Sequence, residues 1–357
     1  MKRFALEKLK EWKKKANRKP LIIRGARQVG KTWLMKEFGR TCFEKVAYVN
    51  FDSNTRMQQV FDGEINIERI ILAISAETGI SIDVKDTLLI FDEVQEVPKA
   101  LSSLKYFCEN APEYAIVAAG SLLGVALHKG TSFPVGKVDF MDLYPLTFQE
   151  FLCALGEERF VNILQGTDTD MVTTFKSKYI DRLREYYYVG GMPEVVQTYV
   201  ETKDFNQVRE IQKNLLNYYQ QDFSKHAETS LVPRLNLVWN SIPMQLAKEN
   251  KKYIYGQVRK GSRAKDFELA IQWLLDCGLI HKVQRAGKAA LPLKAYLDLD
   301  VFKIYLLDVG LLMAMTDMDA QVIIDGNRIF TEFKGALTEQ YVLQQLIALD
   351  HIEPYYY

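Results

Sequence analysis

The chain has 357 residues, of which 48% are hydrophobic and 25% are charged, and its 46 Lys and Arg residues balance 45 Asp and Glu residues. This composition excludes a disordered chain and a small disulfide-stapled protein, and the length predicts two or three domains. The formal net charge of +1 provides no field over the whole molecule that would draw it onto nucleic acid or an anionic membrane, so any such binding requires a local patch.

The apolar runs, the N-terminus and the cysteines predict a cytoplasmic protein with no membrane partner. The longest uncharged apolar stretch, residues 115–127, is interrupted by Gly and Ser and falls short of the ~20 residues that span a bilayer. The basic N-terminus lacks the apolar segment of a secretory signal. Four scattered cysteines fit reduced thiols better than a disulfide framework.

Residues 1–150 predict an α/β domain, because short apolar runs alternate with longer amphipathic stretches, which is typical of βα units around a parallel sheet with flanking helices. The runs are rich in Ile, Val, Leu and Tyr and show little polar alternation, which predicts strands buried on both faces. The predicted strands are residues 21–24, 46–51, 88–91, 114–119 and 138–141.

After Pro145 the pattern changes to apolar residues at helical spacing, which predicts a helical lid over residues 151–230. Gly190-Gly191-Met192-Pro193 marks a turn between two of its helices. From residue 231 onward, helices lead into residues 262–277, and strands are predicted at 279–284 and 301–306. This order predicts a winged-helix-like region over residues 231–357.

The first predicted strand is followed by a phosphate-binding pattern, GARQVGKT, which fits G-x-x-x-x-G-K-[ST] and precedes a helix-forming stretch. Glycines let such a loop curl so that backbone N–H groups point inward, and the helix N-terminus adds partial positive charge. Lys31 would reach the β- and γ-phosphates of ATP, and the Thr32 hydroxyl would bind Mg²⁺. The residues predicted to bind the nucleotide here are Gly25, Arg27, Gln28, Val29, Gly30, Lys31, Thr32 and Trp33.

Two acids end the strand predicted at residues 88–91, in the run LLIFDE. A buried strand that ends in paired acids is costly unless a cation compensates them, so we assign Asp92, with Thr32, to the Mg²⁺ shell. Glu93 is then free to orient or deprotonate the attacking water. A helix-capping role would explain Glu93 alone but not both acids.

Ser121 follows the strand predicted at 114–119, at the edge where ligands gather in open α/β sheets. Its hydroxyl would bind the γ-phosphate or the attacking water, or cap a helix predicted over residues 122–128, and both roles stay open. With Lys31 and Glu93, Ser121 completes the predicted catalytic set.

Read in order with PLTFQEF, GGMPEVV and GALTEQYVLQQL, these motifs resemble the prokaryotic AAA-superfamily ATPases that carry a C-terminal domain of unknown function. The resemblance covers essentially the whole chain. It implies a P-loop NTPase fold in which residues 25–32 are the Walker A loop, Asp92 and Glu93 are the Walker B pair, and Ser121 is the sensor. It also suggests that Pro193 lies near the nucleotide, although a plain interhelical turn explains that motif equally well.

The sequence departs from the family in two places. Lys137 stands where the family usually shows arginine, which puts an arginine role there in doubt. Members also often continue into a nuclease-like region with an acidic pair and a lysine, and nothing similar follows residues 351–354. Either the sequence is a fragment or the ATPase works without that region.

The leading hypothesis is an ATPase that hydrolyses ATP with Mg²⁺ to drive a conformational switch or small motor in a homo-oligomer. An arginine from a neighbouring subunit would complete the site, and the candidates are Arg24, Arg27, Arg182, Arg184 and Arg234. A small-molecule phosphotransferase is a second hypothesis, but Glu93 beside Asp92 suits the activation of water, and such an enzyme needs no winged helix.

A third hypothesis is a nucleotide-gated DNA-binding protein. Basic residues cluster around the helix predicted within residues 262–277, where Arg263 and Lys265 would contact DNA. The cluster consists of Lys251, Lys252, Arg259, Lys260, Arg263 and Lys265. Asp266 and Glu268 dilute it, so a solvated face or a protein-binding winged helix stays open.

Overall fold

The computed structural model describes residues 1–121, 124, 133–247, 252–319, 333–349 and 351–357. It divides into two compact units. The N-terminal unit is Arg3–Leu143, and the C-terminal unit is Tyr144–Tyr357 together with Met1–Lys2. The boundaries predicted at residues 150 and 230 therefore stay a prediction. In the part of the chain that is described, no helix combines the length and apolarity needed to cross a membrane.

The N-terminal unit contains a five-stranded, wholly parallel sheet with the spatial order β2-β3-β4-β1-β5. Each strand boundary lies within one residue of the predicted one, and the predicted α/β fold is confirmed. The strands are β1 (Leu21–Arg24), β2 (Lys45–Asn50), β3 (Thr87–Asp92), β4 (Ala115–Ala119) and β5 (Asp139–Asp142). The helices of this unit are α1 (Ala5–Lys14), α2 (Lys31–Cys42), α3 (Thr55–Asp62), α4 (Ile67–Thr78) and α5 (Pro98–Asn110).

The central strands β3 and β4 are buried along their whole length, which explains why their sequences are continuous apolar runs. Phe91 of β3 packs edge-to-face on Phe51, Phe61 and Phe107, which fixes the strand against its flanking helices. Because β1 lies beside β4 and β4 lies beside β3, the carboxyl ends of these three strands meet at one edge of the sheet. The helix predicted over residues 122–128 falls outside the described residues, apart from residue 124.

The C-terminal unit is mainly helical, as predicted, and contains one antiparallel two-stranded ribbon. Its first helices are α6 (Phe148–Ala154), α7 (Glu158–Gln165), α8 (Thr169–Thr174), α9 (Lys176–Val189), α10 (Pro193–Thr202) and α11 (Phe205–His226). They are followed by α12 (Val232–Ala247), α13 (Tyr255–Val258), α14 (Glu268–Asp276), β6 (Ile280–Ala286), β7 (Leu297–Leu306), α15 (Val309–Met315) and α16 (Lys334–Ile347). Both predicted strands are present, and the winged-helix assignment remains a prediction.

The helix predicted within residues 262–277 is shorter than expected. A 3₁₀ turn occupies Ala264–Asp266, and α14 begins only at Glu268. The Asp266 carboxylate accepts the backbone N–H of Arg263 at 2.8 Å, which closes the turn locally instead of continuing a helix. Arg263 and Lys265 therefore precede α14.

The turn Gly190-Gly191 lies at a buried polar cluster within the C-terminal unit. Gly190 has φ 76°, and a Cβ atom there would overlap the Asp308 carboxylate. That carboxylate accepts the N–H of Gly191 at 2.6 Å and the Gln344 side-chain amide at 3.0 Å. Leu146 donates its N–H to the Gly191 carbonyl at 2.6 Å. The three motifs PLTFQEF, GGMPEVV and GALTEQYVLQQL thus meet here and hold this unit together.

Candidate nucleotide site

The loop between β1 and α2 has the backbone conformation that a phosphate-binding loop requires. Gly25, Gln28 and Gly30 have positive φ angles of 148°, 65° and 94°. A Cβ atom on Gly25 would overlap the carbonyl oxygen of Leu143, so only glycine fits there. These angles curl residues 25–30 into a tight loop at the carboxyl edge of the sheet.

The first turn of α2 presents donors to the inside of this loop. The N-cap residue, Gly30, has no side chain that could accept a hydrogen bond from the first N–H groups of α2. The first N–H groups of a helix have no intrahelical partner, so those of Lys31, Thr32 and Trp33 are available to an anion. The Val29 side chain is buried and 43% of the Trp33 side chain is exposed, so both fit a role through the backbone only.

Lys31 is held inside the loop. Its Nζ atom donates to the carbonyl oxygens of Gly25 at 2.9 Å and Ala26 at 2.7 Å. Burial lowers the pKa of Lys31 to about 8, while the carboxylates of Glu93 and Asp92 act in the opposite direction. The ammonium is therefore already desolvated, and two carbonyl oxygens of the loop hold it.

Asp92 ends β3 and accepts three hydrogen bonds. Thr32 Oγ1 donates to Asp92 Oδ2 at 2.6 Å, and the Tyr48 hydroxyl donates to the same oxygen at 3.0 Å. The N–H of Glu93 donates to Asp92 Oδ1 at 3.1 Å. Burial, followed by the nearby Asp92 charge, raises the pKa of Tyr48. The predicted pair Thr32 and Asp92 is thus in direct contact, and Tyr48 holds the carboxylate from the neighbouring strand β2.

Glu93 lies in the left-handed region, with φ 51°, and its side chain connects to β4. Glu93 Oε2 accepts the Ser121 hydroxyl at 3.2 Å and the Gln95 side-chain amide at 2.6 Å. Arg27 Nε donates to Ser121 Oγ at 3.3 Å. A continuous chain of hydrogen bonds therefore runs from the phosphate-binding loop through Ser121 to Glu93.

The oxygen atoms at this site suit a magnesium ion that is bound together with phosphate. Among the described residues there is no group of three His, Cys, Asp or Glu side chains that would form a protein cage for a metal. Mg²⁺ keeps several waters and is usually held by one or two carboxylates plus substrate phosphates. The Thr32 hydroxyl and Asp92 carboxylate, 2.6 Å apart, fit this mode of binding.

Two residues of the site were missed from the sequence, Tyr48 and Gln95. Tyr48 is opposite Ile90 in the parallel pairing of β2 with β3, two residues before the strand position opposite Asp92. That signal becomes visible only when the strand order is known. For Gln95, closeness in the sequence to Glu93, two residues before it, was a weak indication that it belongs to the site.

The local structure accounts for two other positions that the sequence singled out, Pro193 and Lys137. Pro193 is the first residue of α10 in the C-terminal unit, so an interhelical turn accounts for its motif. Its proximity to the nucleotide stays a prediction. Lys137, the departure from the family arginine, pairs with Glu109 at 2.9 Å.

Comparison with known proteins identifies two families in the chain. A family model described as an AAA domain matches residues 17–152, and one described as a domain of unknown function (DUF8612) matches residues 180–322. No curated protein sequence matches the chain.

Distant likenesses to solved structures accompany these matches. The Aeropyrum pernix ORC1 protein in complex with DNA is 12% identical, with a TM-score of 0.33, over 87% of this chain and 91% of that one. Drosophila ORC bound to DNA is 12% identical, with a TM-score of 0.30, over 91% of this chain and 95% of that one. The family matches agree with the parallel sheet and its phosphate-binding loop, so residues 17–152 are similar to AAA domains and residues 180–322 to a domain of unknown function.

Proposed function

We propose that the chain binds ATP with Mg²⁺ and hydrolyses it. The observation that supports this most strongly is the meeting of Lys31, Thr32, Asp92, Glu93 and Ser121 at the carboxyl ends of three adjacent strands. These five side chains supply a phosphate-binding cation, two metal ligands, a base and a hydrogen-bond donor. They come from three separate segments of the chain, and the parallel sheet brings these segments together.

The loop and Lys31 bind the phosphates. The N–H groups at the start of α2 and the Lys31 ammonium face the β- and γ-phosphate oxygens, and Lys31 exchanges its two carbonyl partners for them. Thr32 and Asp92 hold Mg²⁺, which neutralises charge on the phosphate oxygens when it is bound. Tyr48 keeps the Asp92 carboxylate in place through its hydroxyl.

Glu93 accepts a proton from the attacking water. Its carboxylate is oriented by the Ser121 hydroxyl and the Gln95 amide, which leaves Oε1 to bind the water. A base beside the metal-binding carboxylate favours water over a small-molecule hydroxyl as acceptor. The phosphotransferase hypothesis would instead require transfer of the γ-phosphate without release of inorganic phosphate.

Lys31→Ala tests the proposal. We expect at least a tenfold loss of ATP affinity by calorimetry, because hydrogen bonds to charged groups contribute roughly 1.5–3 kcal/mol and 1.4 kcal/mol corresponds to tenfold. Lys10→Ala, which removes a lysine of α1 that pairs with Glu7, is the matched control and should bind ATP as the parent does. Unchanged affinity and phosphate release in Lys31→Ala would refute the assignment.

We further propose that ATP hydrolysis switches an oligomer, in which a neighbouring subunit supplies an arginine. Arg24 and Arg182 are poor candidates because each forms paired hydrogen bonds, with Asp142 and Glu157 respectively. Arg184 forms a 3.4 Å contact with Asp181 and is more readily released than those two arginines. An arginine supplied in trans is worth about 10³ to 10⁵ in rate, so specific activity should rise with protein concentration and fall in Arg184→Ala.

Constant specific activity over a hundredfold dilution, with no change of mass on adding a non-hydrolysable ATP analogue, would instead indicate a self-sufficient monomer.

A further inference from the structure

A strongly basic segment stands out in a chain whose net charge is only +1. Residues 251–265 contain six Lys and Arg residues and no Asp or Glu. The nucleotide site uses none of them. Lys251 lies outside the described residues, so the remaining five cations carry the structural evidence.

Part of this segment lines a surface cleft of about 340 Å³ in the C-terminal unit. Arg234 of α12 lies on one side, and Arg259, Lys260 and Ser262 of the turn that follows α13 lie on the other. Two separate elements therefore bring three cations and a hydroxyl to one concave surface. All of these groups donate hydrogen bonds, which suits a ligand with several acceptor oxygens.

Among the described residues, no acid forms an ion pair with the three cations of the cleft. Within the described parts of the chain, the side chains of Arg234, Arg259 and Lys260 take part in no hydrogen bond or ion pair. The acid that lines the cleft, Asp266, accepts the Arg263 N–H, and its single negative charge leaves these four residues with a net charge of +2. Like charges gathered on a concave surface repel one another, so the cleft favours an anion.

The surroundings indicate a polymer of phosphates rather than a single one. Arg263 and Lys265 are exposed and follow Ser262 within three residues, which keeps them within roughly 11 Å of the cleft along the chain. The row of cations therefore extends past the space that one phosphate would fill. A nucleic-acid backbone supplies anionic groups in such a row.

Helix α14 is poorly suited to contact DNA. The exposed residues of α14 are Glu268, Leu269 and Gln272, and its sequence, ELAIQWLLD, contains no Lys or Arg. An acidic residue at the start of this helix would repel the phosphates that flank a groove. Binding through the cleft and the turn therefore predicts contact with the backbone and little sequence preference.

We propose that the cleft formed by Arg234, Arg259 and Lys260 binds a backbone phosphate of a nucleic acid, with Arg263 and Lys265 on neighbouring phosphates. The cleft shares no residue with the nucleotide site, so failure of this proposal would leave the ATPase proposal intact, and the reverse also holds.

The test is the binding of a fluorescein-labelled, mixed-sequence DNA duplex, followed by anisotropy over a range of salt concentrations. The cleft variant combines Arg234→Ala, Arg259→Ala and Lys260→Ala. Since each phosphate contact contributes about 0.9 to the slope of log K against log[salt], loss of the one phosphate contact at the cleft should lower the slope by about 1 and the affinity in 0.1 M salt by about tenfold.

The control variant combines Lys176→Ala, Lys178→Ala and Lys225→Ala, which removes three exposed cations of the same unit and lowers the net charge equally. It should bind duplex like the parent. An equal loss in both variants would show that net charge, not the cleft, governs binding and would overturn the proposal. A far-UV circular dichroism spectrum and a urea unfolding curve like those of the parent report that each variant is folded.

Three further results would also overturn the proposal: binding that does not depend on salt, a cleft variant that binds duplex as well as the parent, or polyglutamate binding in the absence of duplex binding. The last result would identify the cleft as a docking site for an acidic protein. Charge-retaining Arg259→Lys provides a second measurement, and it should keep most of the salt slope.

Discussion

The lowered pKa of Lys31 makes ATP affinity depend on pH in a defined way. Burial lowers this pKa to about 8. Only the ammonium form attracts phosphate strongly, and bound phosphates favour that form. Affinity should therefore be constant below pH 8 and decline as pH rises through 8, approaching tenfold per pH unit. With a pKa of about 8, the charged fraction and thus the affinity fall about tenfold between pH 7 and pH 9.

The assay is isothermal calorimetry at pH 7, 8 and 9 in two buffers that differ in ionisation enthalpy. Half of the Lys31 side chains are neutral at a pH equal to their pKa, so ATP binding at pH 8 should take up about half a proton. The terminal phosphate, with a second pKa near 6, is ionised over this range and contributes little.

Lys31→Arg is the control, because a guanidinium stays charged throughout. Its ATP affinity should not change between pH 7 and pH 9. The reasoning is refuted if parental affinity is equally flat, or if Lys31→Arg shows the same decline, since the titrating group would then lie elsewhere.

Two further predictions concern Asp92 and Asp308. Asp92→Asn should weaken only the Mg²⁺-dependent part of ATP affinity. Tyr48→Phe, which removes one hydrogen bond to Asp92, should weaken the same part by about 1 kcal/mol. Calorimetry with Mg²⁺ or with a chelator measures both effects. An Asp92→Asn variant that also loses metal-free affinity would contradict this role. Asp308→Ala should destabilise the C-terminal unit by at least about 2 kcal/mol in urea unfolding, because buried N–H groups lose their acceptor. Asp298→Ala, which breaks a half-exposed pair with Arg285, should cost under about 1 kcal/mol, and equal losses would refute the argument.

The sequence predicted the sheet well because its strands are buried on both faces. Burial of this kind requires continuous apolar runs such as residues 88–91, and their ends are marked by Gly, Asp or Ser. The phosphate loop and the two acids were visible for the same reason, since each directly follows such a run.

What the sequence could not predict depends on which elements are neighbours. Tyr48 reaches Asp92 only because β2 lies beside β3. Gln344 reads as an ordinary helical residue, yet it binds Asp308 and the Tyr186 hydroxyl from 36 and 158 residues away. The end of α14 was predictable, because Gly278, which follows the helix, adopts a left-handed conformation with φ 69°. The start of α14 was not predictable, because the turn closed by Asp266 interrupts a stretch with helical spacing.

The most direct test of the central claim is single-turnover ATP hydrolysis by Glu93→Gln, with Glu96→Gln, an exposed acid of the following 3₁₀ turn, as the matched control. General-base catalysis is worth about 10²- to 10⁴-fold, so Glu93→Gln should bind ATP as the parent does while its hydrolysis rate falls at least about a hundredfold. Glu96→Gln should hydrolyse ATP at the parental rate. A loss of less than about threefold in Glu93→Gln, with binding intact, would contradict the assignment of Glu93 as the base.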